Sequence, residues 1–208
     1  MKKISKILSS AFILTSVATF SYFANAFEKN SPIFSSTGWI VNGDKNDYES
    51  GYDKNIKFDG KQSIYIKSKT NKVKSDFSTA LQSISAQKYL GKRVRFSGYI
   101  KSENAENVSL WMRIDGKDDK SLQFDNMENR FVKGTTDWKK YDVVLDIPND
   151  SNAIFLGGFL AGTGTAWFDK FNIEIVDNTV PSTNMIKKHG KNSTKKYKNS
   201  FENMNFES

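Results

Sequence analysis

Apolar and polar residues alternate along most of the middle of the chain. In the stretch 93–101, Val94, Phe96 and Ile100 share one side, and the stretch 109–115 repeats the scheme. Successive side chains of a β-strand point to opposite faces, so a period of two predicts strands with one buried face. Both stretches are therefore predicted to be strands that face a core.

The same alternation and its interruptions predict the rest of the architecture. Further strands are predicted at 64–67, 77–84, 121–127, 141–147 and 171–176, and a strand covered on both faces at 153–160. Gly, Pro, Asn and Asp residues, which favour turns, separate these stretches. About eight or nine strands at hairpin spacing predict an all-β fold, an antiparallel two-sheet β-sandwich.

The N-terminal residues have the pattern of a targeting segment. Three Lys residues precede an apolar run at 7–23, and Ala24-Asn25-Ala26 follows it. A basic start, a short apolar run and small residues at the cleavage site predict a signal peptide at 1–26 that is removed before Phe27. The mature protein is then expected to be exported, periplasmic or secreted, with no transmembrane segment after cleavage.

Beyond the signal peptide, composition divides the chain into a lead-in segment at 27–37, the sandwich at 38–177 and a tail at 178–208. The tail is rich in Asn, Lys and Ser, and such a segment buries little apolar surface. It is predicted to be a disordered basic tail.

The formal net charge of +8 is unevenly distributed. Three of these charges lie in 1–26 and four in 181–208, which leaves +1 for 27–180. A nearly neutral body lacks the extended positive face that binds phosphate backbones. The sequence therefore predicts no nucleic acid partner.

Cysteine and histidine usage excludes several chemistries. The chain has no Cys, and its single His lies at position 189 in the tail. Disulfides, cysteine nucleophiles and thiolate metal sites are therefore impossible. A Ser-His-Asp triad or a multi-histidine metal centre is also excluded from the sandwich.

Three motifs carry a resemblance to known sandwich domains. They are Gly91-Lys-Arg-Val-Arg-Phe-Ser-Gly-Tyr99, Thr136-Asp-Trp-Lys-Lys-Tyr141 and Gly164-Thr-Ala-Trp-Phe-Asp169. In this order they resemble a carbohydrate-binding-module jelly roll of the galactose-binding-like type. The stretches 110–116, 124–127 and 134–138 are more similar to an uncharacterised family of small bacterial β-sandwich domains. The resemblance implies the fold, whereas one sandwich fold carries many functions.

One face of the predicted strands carries the candidate binding chemistry. Trp111 and its odd-numbered neighbours point away from the side that Leu110 and Met112 occupy. If Leu122 and Phe124 pack inward, the next strand adds polar side chains to the same face. The candidate ligand-binding residues are Arg95, Tyr99, Trp111, Arg113, Asp115, Gln123 and Asp125. Aromatic rings among polar groups are typical of saccharide binding.

Two alternatives to an open binding face remain. In the first alternative Trp111 is covered, and in the same arrangement Arg113 and Asp125 form a buried ion pair that closes the sandwich. In the other, Asp115 and Asp125 act as the acid and base of a glycosidase, which requires two carboxyl groups about 5–10 Å apart. Exposure of the Trp111 indole distinguishes the open face from the covered one.

Asp169 is a candidate ligand of a structural calcium ion, the one cofactor that the sequence suggests. Related sandwiches often hold calcium at this place, with oxygen ligands from an early loop. The possible partners in this chain are Asp44, Asp47, Glu49 and Asp53. Calcium needs six to eight oxygen ligands, and a carboxylate that caps the strand is the alternative.

These observations predict an exported, non-enzymatic sandwich that binds a ligand, most simply a glycan or another envelope component. The alternative is an envelope-associated structural or protein-interaction domain with a protein partner. A weak glycosidase or polysaccharide lyase is the third hypothesis.

Overall fold

A computed structural model describes residues 38–75, 77–117, 120–186 and 200–207. The signal peptide, its cleavage before Phe27 and the lead-in segment lie outside these residues and stay predictions. The described residues form nine strands and two short 3-10 turns. No α-helix occurs among them, and hence none long and apolar enough to cross a membrane.

The strands follow the chain in this order: β1 Ile40–Asn42, β2 Tyr48–Asp53, β3 Ser63–Ser68, β4 Phe77–Ser85, β5 Arg93–Gly116, β6 Ser121–Asp125, β7 Val132–Asp146, β8 Ser151–Ala161 and β9 Thr165–Val176. The 3-10 turns are Ala86–Tyr89, after β4, and Glu128–Arg130, after β6. All pairings between these strands are antiparallel.

Strand β5 joins the two layers of the sandwich. Its first half pairs with β9 and β7, and its second half pairs with β8 and β6. The first sheet has the order β2-β3-β9-β5-β7, and the second sheet has the order β1-β4-β8-β5-β6. The all-β sandwich predicted from the sequence is confirmed.

The sequence predicts two strands where the structure has the single strand β5. Between its halves the register with β7 shifts repeatedly, and Asn104 has a positive φ of 48°. Asn adopts this left-handed conformation more readily than most residues, and bulges bend a strand. The bend lets one strand leave the first sheet and continue into the second.

The core between the sheets is apolar and fully buried. Phe96 and Ile100 from the first half of β5, Met112 from its second half, Leu156 of β8 and Phe168 of β9 are all inaccessible to solvent. The β8 strand is buried over most of its length between β4 and β5, as the apolar run at 153–160 predicts.

Two parts of the predicted disordered tail are bound to the sandwich. Residues 178–186 follow the edges of both sheets, where Thr183 hydrogen bonds to Val144 of β7 and Met185 to Phe124 of β6. Residues 200–207 bury Phe206 completely. The sequence predicts disorder for these stretches, whereas the structure places them against strand edges and packs Phe201, Met204 and Phe206 on the core. Residues 187–199 and 208 lie outside the described residues.

Candidate functional site

The seven candidate ligand-binding residues lie in three different places. Because the two halves of β5 belong to different sheets, Arg95 and Tyr99 lie on the outer face of the first sheet, whereas Trp111, Arg113 and Asp115 lie on the outer face of the second. These faces are opposite surfaces of the sandwich. No single binding face unites them.

The remaining two candidates, Gln123 and Asp125, point toward the core. Gln123 pairs with Ile114 and Asp125 with Met112, and paired residues share a side of the sheet. Phe124 instead lies on the side of Arg113. The predicted orientation of β6 is therefore wrong, since a shift of one residue exchanges the two faces of a strand.

Trp111, Arg113 and Asp115 are buried, with 2%, 4% and 1% of their surface exposed. The indole Nε1 of Trp111 donates to Thr79 Oγ1 at 2.9 Å. Arg113 donates to the Asp115 carboxylate at 2.8 Å, and its guanidinium lies 4.6 Å from the centre of the Phe155 ring. These side chains do not form the open face that the sequence predicts.

The predicted buried ion pair between Arg113 and Asp125 also differs from the structure. Arg113 pairs with Asp115, and Asp125 pairs with Arg130 at 2.6 Å. Asp115 and Asp125 point to opposite sides of the second sheet. Two carboxyl groups on opposite sides of a sheet cannot act together on one glycosidic bond, so this geometry gives no support to the predicted glycosidase pair.

Arg95 takes part in an ion-pair network on the outer face of the first sheet. Its guanidinium lies 3.3 Å from Glu174 and 3.5 Å from Asp142. One acidic partner comes from each neighbouring strand, β9 and β7. Arg95 is thus positioned by the sheet itself, and its partners neutralise its charge.

Tyr99 belongs to a cluster that we call the exposed aromatic patch and define as Phe58, Tyr99, Trp138 and Lys170. Phe58 and Lys170 are exposed, and Tyr99 and Trp138 are half-buried. The rings of Phe58 and Tyr99 stack with centroids 3.6 Å apart, and Trp138 meets Phe58 edge-on at 6.1 Å. The Lys170 ammonium lies 6.0 Å from the centre of the Phe58 ring. Phe58 is 40% exposed.

Sequence reasoning missed Phe58 because this residue lies in a loop outside every alternating stretch. Asp169 connects that loop to β9, since its carboxylate accepts hydrogen bonds from the Phe58 and Asp59 N–H groups at 2.7 and 3.1 Å. The exposed aromatic patch therefore depends on a buried carboxylate beneath it.

The residues around Asp169 do not fit calcium. Its second carboxylate oxygen accepts the Lys170 N–H, so backbone donors occupy positions that a metal ion would need. Asp53 accepts the indole N–H of Trp167, and Asp47 accepts from Ser75. No group of three or more acidic or histidine side chains within the described ranges is placed to hold a metal.

Asp169 of β9 and Asp47 of the turn before β2 are both buried, and their pKa values shift in opposite directions. Burial is the largest effect on Asp169 and raises its pKa, against the N–H donors of Asp59 and Phe58. For Asp47, the Ser75 N–H is the largest effect and holds the pKa below its usual value. The hydroxyl of Ser75 and the N–H of Lys74 act in the same direction.

Asp47 is expected to contribute to acid unfolding. A carboxyl group whose pKa is lowered by folding stabilises the fold above its unfolded pKa of about 3.9, and this contribution disappears as the pH falls through the folded value. Asp47→Asn keeps an acceptor oxygen but removes the titration. We expect the stability of the variant to fall less steeply than that of the wild type below about pH 4. Thermal melts between pH 2 and 6 measure this difference. Equal losses of melting temperature in the wild type and the variant over this range would contradict the lowered pKa of Asp47.

One curated relative has clear sequence similarity to the chain. It is a protein of Bacillus subtilis strain 168 with the name uncharacterized HTH-type transcriptional regulator YbfP, 43% identical over 150 residues. The match includes 71% of this chain and 51% of the relative. The chain therefore spans about half the length of the regulator. No family model matches the chain.

Solved structures share the fold at low sequence identity. A tailspike protein 4 domain of bacteriophage CBA120 matches with a TM-score of 0.52 and 11% identity, over 67% of this chain and 19% of that chain. The CBM22-1 xylan-binding domain of Paenibacillus barcinonensis Xyn10C has a TM-score of 0.47 and 17% identity, over 67% and 86%. At 11% identity the tailspike match concerns the fold alone.

The curated relative contradicts the function that the sequence predicts. The sequence predicts an exported sandwich that binds a glycan, whereas the name of this relative indicates a transcriptional regulator with a helix-turn-helix. The exclusion of nucleic acid from the partners is also unsupported, because the relative is named for a DNA-binding motif. The net charge of residues 27–180, which include the sandwich, is nevertheless only +1.

Proposed function

We propose that the sandwich is a regulatory domain that controls a separate DNA-binding domain and does not read DNA itself. The observation that carries this proposal is the 43% identity with about half of a transcriptional regulator. A helix-turn-helix needs two helices, one of which enters the major groove. The described residues contain no α-helix, so they supply neither of them.

The exposed aromatic patch is the surface that we propose for receiving the regulatory signal. Exposed aromatic groups rimmed by charged side chains are typical of interaction surfaces. Around Phe58 the rim contains the ion pairs Lys170–Asp59 and Lys101–Asp137. By contrast, the face that carries Trp111 is buried.

A domain exchange in the Bacillus subtilis relative tests the regulatory role. The matched segment of the regulator is replaced by residues 38–208 of this chain, which include the segment that buries Phe206, and DNA occupancy and transcript levels are mapped across the genome. We expect the exchanged protein to keep the DNA sites and transcript levels of the intact regulator. Deletion of the segment should keep the sites but change the transcripts. The matched control is an exchange that carries Arg130→Ala, which disrupts a buried pair of the sandwich.

Mobility-shift assays with the purified full chain test the second half of the proposal. We expect no sequence-specific complex with DNA fragments that the relative occupies. Weak binding that disappears between about 50 and 200 mM salt is the non-specific kind that basic segments produce. A complex that survives 200 mM salt and prefers those fragments would overturn the proposal, as would loss of DNA occupancy when the matched segment alone is deleted.

A further inference from the structure

Residues 200–207, which we call the docked segment, bind at one end of the sandwich. Phe206 is fully buried, and its ring centroid lies 5.1 Å from Trp39 and 5.1 Å from Phe171. Phe171 in turn packs against Phe96 of the core at 5.0 Å. Phe206 therefore enters a pocket that is continuous with the main core, and Phe201 and Met204 of the segment pack against the same core, partly buried.

The sandwich recognises the docked segment mainly through its backbone. Trp39 Nε1 donates to the carbonyl of Asn203 at 2.8 Å, and the Phe171 N–H donates to the carbonyl of Met204 at 2.8 Å. Gln62 Nε2 donates to the carbonyl of Phe206 at 2.6 Å. These three contacts do not depend on the side chains of the segment.

Both ends of the docked segment are also fixed. The side-chain amide of Gln82 donates to the carbonyl of Glu202, and its oxygen accepts the Glu202 N–H at 2.9 Å. The carboxylate of Glu207 accepts the N–H groups of Lys61 and Gln62 at 2.5 and 3.3 Å. Backbone hydrogen bonds with one side-chain pocket are the usual chemistry of a site that binds an extended peptide.

Two glycines leave room for the acidic side chains of the docked segment. A Cβ added at Gly60 would lie 2.1 Å from Glu207 Oε1, and one added at Gly38 would lie 2.8 Å from Glu202 Oε2. Both glycines have positive φ, 62° and 79°, which other residues rarely adopt. The wall of the site thus fits this segment closely.

We propose that this end of the sandwich, formed by Trp39, Lys61, Gln62, Gln82 and Phe171, is a peptide-binding site that also accepts residues 200–207 of a second copy of the chain. The identical segment makes identical contacts, so exchange between copies costs little in contact energy. This proposal does not depend on the regulatory function.

The length of chain between Ile186 and Ser200 permits such an exchange. Thirteen residues separate these two, and an extended connection of that length spans up to about 45 Å. A tethered segment has an effective concentration in the millimolar range, so binding within one copy dominates in dilute solution. Exchange becomes visible when the segment of one copy is weakened.

A labelled peptide tests the site directly. The probe is a fluorescein-labelled peptide with the sequence of residues 200–208, and the protein is the full chain with Phe206→Ala. We expect saturable binding by fluorescence anisotropy. The wild-type chain should bind the peptide at least tenfold more weakly, because its own segment competes. A peptide with alanine at the position of Phe206 should lose about 30-fold or more, as for a central anchor residue.

Absence of peptide binding to a folded Phe206→Ala chain, judged by a cooperative thermal melt, would overturn the proposal. If this variant does not fold, a protease site placed at 191–196 of the otherwise native chain replaces it. Exchange of the cut segment for labelled peptide then supports the proposal, and a cut segment that never exchanges contradicts it.

Exchange between two copies has its own test. The Phe206→Ala chain is mixed with a chain carrying Gln62→Ala and Gln82→Ala, whose segment is intact. We expect a one-to-one complex in analytical ultracentrifugation, whereas each variant alone stays monomeric. No complex at concentrations that saturate the labelled peptide would contradict the second copy as the occupant.

Discussion

Replacing Trp111 with alanine is expected to lower the free energy of unfolding by about 3–5 kcal/mol, the cost of removing a buried aromatic side chain. The indole is 2% exposed and its Nε1–H bonds to Thr79. The change removes apolar burial, opens a cavity and leaves the Thr79 hydroxyl with fewer partners. Chemical denaturation of the purified chain measures this loss without knowledge of any ligand.

Two companion variants separate burial from hydrogen bonding. Trp111→Phe keeps most of the aromatic volume and loses the hydrogen bond, so we expect a loss of about 1–2 kcal/mol. Trp138→Ala is the matched control, because this Trp is only partly buried and contacts Phe58 at its edge. Its replacement should cost about 1 kcal/mol. A Trp111→Ala variant as stable as Trp138→Ala would contradict the buried position of Trp111.

The alternation of apolar and polar residues was sufficient to predict the sandwich. Val94, Phe96 and Ile100, with Leu110 and Met112, all point into the core as their period of two requires. Alternation describes each strand separately. It does not tell which sheet a strand joins, and so the division of β5 between two sheets could not be predicted.

The orientation of β6 shows a second limit of the pattern. Both sides of this strand are buried, with Asp125 on one side and Phe124 on the other. A buried carboxylate paired with Arg130 breaks the rule that apolar residues face inward. Periodicity alone then favours the wrong face, because the partner that makes burial of Asp125 possible lies beyond the strand.

The composition of the tail did not predict that part of it binds to the sandwich, for a related reason. Asn and Lys dominate 178–208, but Phe206 fills a pocket lined by Trp39 and Phe171, and Phe201 and Met204 also pack against the core. These three apolar side chains and several backbone hydrogen bonds hold a short segment whose other residues are polar. Such a pocket exists only after residues from distant parts of the chain have come together.

The candidate site was harder to predict than the fold, because function depends on exposure. Trp111 and Tyr99 have the same phase along β5, yet one is buried and the other stacks on Phe58 in an exposed patch. The loop that Asp169 holds over the first sheet brings Phe58 onto Tyr99, whereas the indole of Trp111 is buried and hydrogen bonds to Thr79 of β4 in the second sheet. Sandwiches with similar strands thus present different surfaces when their loops differ.

Arg130→Ala is expected to lower the free energy of unfolding by about 3 kcal/mol, the lower part of the range for a broken buried ion pair, because the Asp125 carboxylate is buried while the Arg130 side chain is 34% exposed. The Asp125 side chain is 0% exposed, and Arg130 Nη2 lies 2.6 Å from its carboxylate. Arg130 Nη1 also donates to this carboxylate at 3.2 Å, and the Met127 N–H donates to it at 2.7 Å. Truncating Arg130 therefore leaves a buried negative charge with too few donors.

A second change at Asp125 should relieve part of that loss. Asp125→Asn in the Arg130→Ala background removes the stranded charge and keeps an oxygen for the Met127 N–H, so we expect a recovery of about 1–2 kcal/mol. Lys101→Ala is the control, since its partner Asp137 is 87% exposed and such exposed pairs contribute little to stability. Urea denaturation of the wild type, the single variants Arg130→Ala and Asp125→Asn and the double variant gives the coupling free energy. If Arg130→Ala costs no more than Lys101→Ala, water reaches the Asp125 carboxylate and the pair does not stabilise the junction of β6 and β7.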